Sequence, residues 1–131
     1  MGSEHVLREP CRALVVAIRS ADVDATSTPE VIQEFAHARA RRHGRSEAVA
    51  LAREFAGLLS PLLVVQEEHL RPSLALYERH PGLGAFDAVL ASVALAHGAR
   101  ALVSADRAFA GIDGLNHVVP GEDGFEALLR G

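Results

Sequence analysis

The chain has 131 residues, 49% of them hydrophobic, and a formal net charge of −4. This length suits one domain over residues 1–131, and the apolar content excludes a disordered chain. One cysteine excludes a disulfide framework within a single chain, and the acidic balance argues against a general nucleic-acid-binding surface. Because no apolar run is long enough to cross a membrane, we expect a cytoplasmic protein that makes no membrane contact.

Helix signals dominate the first half of the chain. Ser27 or Thr28 could cap a helix that has Pro29 at its first position, and Gly44 would end it. Short, partly β-branched runs on either side predict strands. The predicted helices cover residues 9–20, 29–43 and 46–59, and short strands are expected at 21–26 and 62–65.

The second half alternates helices with short apolar strands. It predicts helices at 69–80, 85–97 and 124–131, a short turn or helix at 105–111, and strands at 99–104 and 117–119. This alternation is typical of an α/β domain built on a mostly parallel sheet.

Two aspartates lie at positions where α/β domains build sites. Asp87 lies in the first turn of the predicted helix 85–97, where the helix dipole favours a carboxylate. Its own face carries Ala91 and Ala94, which are small enough to let the helix pack closely on a sheet. Asp106 follows a predicted buried strand, at the carboxyl end where open α/β sheets bind ligands.

A third acid, Glu34, interrupts an apolar stripe of Val31, Phe35 and Ala38 on the predicted helix 29–43. Each acid also has a simpler explanation: a helix-end charge, a turn cap or an ion pair with arginine. Three converging carboxylates would repel one another unless a cation neutralised them. Hard oxygen ligands of this kind select Mg²⁺ or Mn²⁺.

Four arginines cluster in the stretch RARRHGR at the end of the same helix. They could be solvated cations that complement the negative end of the helix dipole. They could also contact RNA phosphates. The sequence leaves both interpretations open.

The stretches TPEVIQEFAHAR, LGAFDAVLASVALAHGARALVSADRAF and the GL…VVPG tail together resemble the PIN-domain family, specifically the VapC-type toxins of toxin–antitoxin pairs. The resemblance runs from residue 9 to about residue 125. By this resemblance, Glu34, Asp87 and Asp106 match three acidic, metal-binding residues of the family. Ser104 matches the small hydroxyl residue that precedes the last acid.

The resemblance implies a three-layer α/β fold in which helices flank a mostly parallel central sheet. It also implies an endoribonuclease that uses Mg²⁺ or Mn²⁺ to activate a water molecule against an RNA phosphodiester bond. Glu34, Asp87, Ser104 and Asp106 are the catalytic residues it predicts. The implied partners are the RNA substrate, a VapB-like antitoxin that blocks the enzyme in a type II pair, and a second copy in a homodimer.

One feature of the family has no counterpart in this sequence. The family begins with a central strand that carries its first aspartate, whereas MGSEHVLREP resembles the loop after that strand. We expect that the chain as given begins downstream of the natural start. The alternative is a catalytically impaired PIN-like module retained for antitoxin or partner binding. An unrelated α/β phosphotransfer or hydrolase domain whose acids bind Mg²⁺ is a third interpretation.

Overall fold

The computed structural model describes residues 2–131, with side chains from residue 9 onward. Two 3₁₀ turns, at Glu67–His69 and Arg107–Phe109, accompany the helices and strands. No helix in these ranges is long and apolar enough to cross a membrane. The helices are α1 (Gly2–Arg19), α2 (Pro29–His43), α3 (Arg45–Leu59), α4 (Leu70–Arg79), α5 (Ala85–Ala96) and α6 (Phe125–Leu129), and the strands are β1 (Leu102–Val103) and β2 (His117–Val118).

The chain divides into two compact units, and the smaller one, Asp24–Val64, contains α2 and α3. The buried hydroxyl of Thr28 accepts a hydrogen bond from the Val31 amide at 3.3 Å and caps α2, as the sequence predicts. Helices α2 and α3 pack together, and the rings of Phe35 and Phe55 meet edge to face with centroids 5.2 Å apart.

An ion pair also joins these two helices. The Arg39 guanidinium donates to the Glu47 carboxylate through Nε (3.1 and 3.2 Å) and Nη2 (2.9 Å). These hydrogen bonds lower the pKa of the Glu47 carboxyl below its ordinary value. Arg39 therefore already has a carboxylate partner, while Arg41 and Arg42 lie in the last turn of α2, where cations complement the helix dipole.

The larger unit, Met1–Val23 with Val65–Gly131, contains the sheet. Strands β1 and β2 run parallel, with Leu102 opposite His117 and Val103 opposite Val118. The small residues Ala88, Ala91 and Ala94 of α5 pack in one buried cluster with Leu102, Phe109 and others. Helix α5 and strand β1 thus contribute to the same cluster, while the helix that packs extensively against α5 is α4.

Three local predictions are wrong. Neither 21–26 nor 62–65 forms a strand. Their neighbourhoods are joined by one backbone hydrogen bond, from Leu63 N to Ser27 O at 2.8 Å, and by Thr26 Oγ1 donating to Pro61 O at 2.8 Å. Isolated bonds of this kind do not build the repeating ladder of a sheet. The opening residues, expected as a loop, are helical from Gly2.

Candidate active site

Asp87 lies in the first turn of α5, which begins after Gly84. Its side chain is half-buried, and the next residue, Ala88, is fully buried. The unpaired amide groups of the first turn and the helix dipole both favour a negative charge at this position. Asp87 thus lies at the margin of the core, at a helix terminus.

Asp106 is positioned by a tight turn just after β1. Its amide donates to Ser104 Oγ at 3.1 Å, and its Oδ1 accepts from the Ala108 amide at 2.9 Å. The second bond caps the 3₁₀ turn Arg107–Phe109. The turn-cap explanation for Asp106 is therefore correct, yet it uses only one carboxylate oxygen. The side chain is exposed, and Oδ2 remains as a potential ligand for a cation.

The chain turns sharply between α5 and β1. Gly98, with φ +63°, follows the helix, and the Ala99 amide donates to Ala94 O at 3.0 Å, which reverses the chain direction. From Asp87 to the end of α5 the helix rises roughly 14 Å. The chain from residue 101 to Asp106 contains the strand residues Leu102 and Val103 and then the turn at Ser104–Asp106. Helix α5 and strand β1 contribute to one buried cluster, and the predicted site requires Asp87 and Asp106 at the same end of these two elements.

Ser104, the predicted hydroxyl residue, holds this turn together at three atoms. Its Oγ accepts from Asp106 N, and its amide donates to Val118 O at 3.1 Å. Its carbonyl oxygen lies 2.9 Å from His117 Nε2, so the imidazole donates there. The ring of His117 also packs on Phe109, with centroids 5.9 Å apart.

His117 was not predicted as a site residue. No sequence signal identifies it, because its position depends on the parallel register of the two strands, which sets residue 117 beside residue 102. In this register the His117 side chain reaches the carbonyl oxygen of Ser104, just after β1.

A surface depression of about 570 Å³ lies beside this turn. Arg107 and Glu122 form an ion pair across it, with Nη1 3.2 Å from Oε1. The hydrogen bond from Arg107 lowers the pKa of the Glu122 carboxyl. The depression is lined by Arg107, Ala110, His117, Val119, Gly121, Glu122 and Asp123.

The surroundings of Glu34 differ from those that the sequence predicts. Its side chain is exposed, and of its stripe Val31 and Phe35 are only half-buried while Ala38 is exposed. The expected apolar surroundings are therefore wrong, because α2 has no buried residue. Among residues whose side chains the structure describes, no three His, Cys, Asp or Glu groups are arranged to hold a metal ion. Glu34 belongs to the smaller unit, and its role in a site with Asp87 and Asp106 remains a prediction.

Both units carry the sequence signature of one family. The model of the PIN domain family matches residues 2–115, which include all four predicted site residues, and the chain belongs to this family. The α/β fold class expected from the sequence is thereby confirmed. The chain is also 50% identical over 132 residues to Ribonuclease VapC7 of Mycobacterium tuberculosis (strain ATCC 25618 / H37Rv), covering 98% of this chain and 89% of that protein. The predicted resemblance to VapC-type members is confirmed by this relative. No solved structure matches the chain significantly.

Proposed function

We propose that the chain is a VapC-type endoribonuclease toxin of a type II toxin–antitoxin pair that requires Mg²⁺ or Mn²⁺. One observation supports it most strongly: Asp87 lies in the first turn of α5 and Asp106 follows β1, and these two elements contribute to one buried cluster. The family match and the 50% identity to a ribonuclease cover this region. The uninterrupted match through both units also supports a single PIN-like domain over residues 1–131.

The donor chemistry of the site fits the proposed metal. Mg²⁺ prefers oxygen ligands and is commonly held by one or two carboxylates, with water and substrate phosphate completing its shell. Asp87 and Asp106 Oδ2 would provide two such ligands, and Glu34 is the proposed third. A metal bound there supplies a polarised phosphate and a hydroxide formed from water.

The protein groups around the metal have separate tasks in this proposal. Asp87 contributes a negative charge at the helix terminus. Ser104 fixes the backbone that orients the Asp106 side chain. His117 holds the Ser104 carbonyl group in turn. Among these residues none needs to act as a covalent nucleophile, because water attacks the phosphorus.

The proposed partners follow from the same family membership. They are an RNA substrate, a VapB-like antitoxin that blocks the nuclease, and a second copy of the chain. The alternative of a catalytically impaired PIN-like module has one observation in its favour, the lack of a three-residue metal cluster among the described side chains.

The decisive experiment is an RNA cleavage assay with Mg²⁺ or Mn²⁺ and with EDTA. We expect cleavage only with metal. Loss of residues that merely support a metal ligand costs about 10–100-fold, so Asp87→Asn and Asp106→Asn should each lower the rate by at least about 100-fold. Asp113→Asn, which changes another exposed acid of the same unit, is the matched control and should retain the rate.

Glu34→Gln should lower the rate of RNA cleavage. Glu30→Gln, on the same helix, is the control and should not lower it. Equal cleavage in EDTA would contradict metal dependence, and unchanged cleavage by Asp87→Asn would contradict the site. A chain that cleaves no RNA under any of these conditions but binds a VapB-like antitoxin would establish the impaired-module alternative.

A further inference from the structure

The surface depression beside the candidate site has an arginine in its wall. Arg107 directly follows the proposed metal ligand Asp106 and begins the 3₁₀ turn that the Asp106 side chain caps. His117, which donates to the carbonyl group of Ser104, lines the same depression of about 570 Å³. The depression and the turn that carries Asp106 therefore adjoin each other.

A carboxylate holds the Arg107 guanidinium in a geometry that also fits a phosphate. Its Nη1 lies 3.2 Å from Oε1 of Glu122, and its Nη2 donates to Oε2 of the same carboxylate. Two N–H groups of one guanidinium that meet two oxygens in this way suit a phosphate as well as a carboxylate, because both anions offer a pair of oxygens to the planar fork. Glu122 thus occupies the position that a phosphate would take on Arg107.

The ion pair is open to solvent, so one anion can replace the other at little cost. The side chains of Arg107 and Glu122 are 69% and 48% exposed. Exposed ion pairs are weak, because water screens the charges and both side chains lose conformational freedom. The backbone of Arg107 is fixed, since its carbonyl oxygen accepts from the Ala110 amide at 3.1 Å. An arriving phosphate therefore meets an arginine on a fixed backbone and a carboxylate that is free to turn into solvent.

We propose that Arg107 binds an RNA phosphate next to the one that is cleaved, and that Glu122 competes with this phosphate for the guanidinium. The inference rests on the proposed function, which places RNA at Asp106, one residue from Arg107. RNA is favoured over a protein partner because a strand bound at Asp106 carries further phosphates on either side of the cleaved one. Such a contact positions the strand without reading its sequence. Arg107 strengthens RNA binding, and Glu122 weakens it.

The test measures the Kd of a fluorescent single-stranded RNA oligonucleotide by anisotropy in EDTA, where the proposed nuclease is inactive. Arg107→Ala should raise the Kd about five- to tenfold and lower the slope of log Kd against log salt concentration by about 0.7, the contribution of one phosphate contact with a single strand. Arg100→Ala is the matched control, because Arg100 is an exposed arginine just before β1, at the other end of the strand from Asp106. It should leave the Kd and the slope nearly unchanged.

Substitution of Glu122 gives the sharper test. Glu122→Gln should lower the Kd for RNA about threefold, since it releases Arg107 from an exposed ion pair of modest strength. Asp123→Asn is the matched control, because Asp123 lines the same depression but forms no ion pair with any residue whose side chain the structure describes. It removes the same charge and should have a smaller effect. In a chain that already carries Arg107→Ala, the two substitutions should have equal effects.

The directions of these changes distinguish a phosphate site from an ion pair that only supports the fold. Arg107→Ala and Glu122→Gln break the same ion pair, so a supporting role predicts that both change the Kd in the same direction. Thermal unfolding of each variant shows that it is folded. An unchanged Kd for Arg107→Ala, equal effects of Glu122→Gln and Asp123→Asn in the otherwise unmodified chain, or no RNA binding at all would overturn the proposal.

RNA cleavage is measured separately, so the two proposals can fail independently. A chain that binds RNA through Arg107 but cleaves none would refute the nuclease and leave this inference standing. A chain that cleaves RNA with metal, and whose Kd does not depend on Arg107, would do the reverse. If Arg107→Ala weakens binding of a VapB-like antitoxin and leaves the Kd for RNA unchanged, the arginine belongs to the antitoxin interface instead.

Discussion

At the scale of single residues, the turn from Ser104 to Asp106 shows how one side chain can position another. The Ser104 hydroxyl accepts from the Asp106 amide, and the Ser104 carbonyl accepts from His117. Asp106 thus has its backbone fixed from one side and its Oδ1 fixed by Ala108 from the other. These two hydrogen bonds leave the Oδ2 atom of Asp106 as the carboxylate oxygen that they do not engage.

This geometry predicts the effect of removing the Ser104 hydroxyl. Ser104→Ala should fold normally, because the residue is only half-buried, yet release the Asp106 amide. Displacement of a reacting group by about 1 Å can cost 100-fold in rate, so we expect a 10–100-fold lower rate of metal-dependent RNA cleavage under single-turnover conditions.

Ser104→Thr keeps the hydroxyl and is the matched control. It should retain most of the rate. If alanine and threonine at this position cleave RNA equally fast, the hydroxyl does not position Asp106.

At the scale of elements, the helices could be predicted, whereas two of the four expected strands did not form. Helix α2 matches its predicted range because Thr28, Pro29 and Gly44 mark its ends in the sequence. The short, partly β-branched run 62–65 predicts a strand just as clearly. Strand formation, however, depends on a partner distant in the chain, and Val64 is 61% exposed with no ladder beside it.

The same distinction applies to the candidate site. The positions of Asp87 in the first turn of a helix and of Asp106 after a strand could be predicted, because they depend on neighbouring helix and strand ends. The surroundings of Glu34 were predicted incorrectly, since helical periodicity shows which residues share a face but not whether that face is covered. His117 was missed because its role depends on the register between two strands.

The ion pair between α2 and α3 predicts a specific pH dependence. Because Arg39 lowers the pKa of Glu47 in the folded state, the pair adds stability above the ordinary pKa of about 4.5, and this stability is lost as the pH falls through the lowered folded value. Thermal unfolding at pH 7 and at pH 3.5 should show a smaller loss of Tm on acidification for Glu47→Gln than for the unmodified chain. The effect is small because both side chains are exposed.

Glu54→Gln is the control, because Glu54 is another exposed acid of α3. It should behave like the unmodified chain. If the Tm of Glu47→Gln falls as steeply on acidification as the Tm of the unmodified chain, the ion pair does not contribute to the stability of the fold.

At the scale of the whole molecule, the net charge of −4 has to be reconciled with an RNA substrate. Two polyanions associate poorly unless cations mediate their contact. A divalent ion held by Asp87 and Asp106 would neutralise the charge of the two carboxylates where the phosphate must approach. The proposed metal would therefore allow an acidic protein to bind an RNA phosphate at this site.

This arrangement links metal binding to the stability of the whole fold. The unfolded chain would not hold the two proposed ligands Asp87 and Asp106 together, so at the proposed site Mg²⁺ or Mn²⁺ would bind the folded state preferentially and stabilise it. At 10 mM metal and a Kd of about 1 mM, the free energy of unfolding rises by about 1.4 kcal/mol. For a chain of this length we expect the Tm to rise by about 4–6 °C.

The increase in Tm should disappear in Asp87→Asn and Asp106→Asn and persist in Asp113→Asn. NaCl at the same ionic strength should not reproduce the increase in Tm. Diffuse ions screen exposed charges in general, whereas the proposed effect requires an ion bound between specific carboxylates. Differential scanning calorimetry of the four proteins checks this without any RNA. An equal response of Asp87→Asn and Asp113→Asn to Mn²⁺ would mean that the ion binds elsewhere, and the acidic end of the α5–β1 pair would then lose its proposed role, however the chain cleaves RNA.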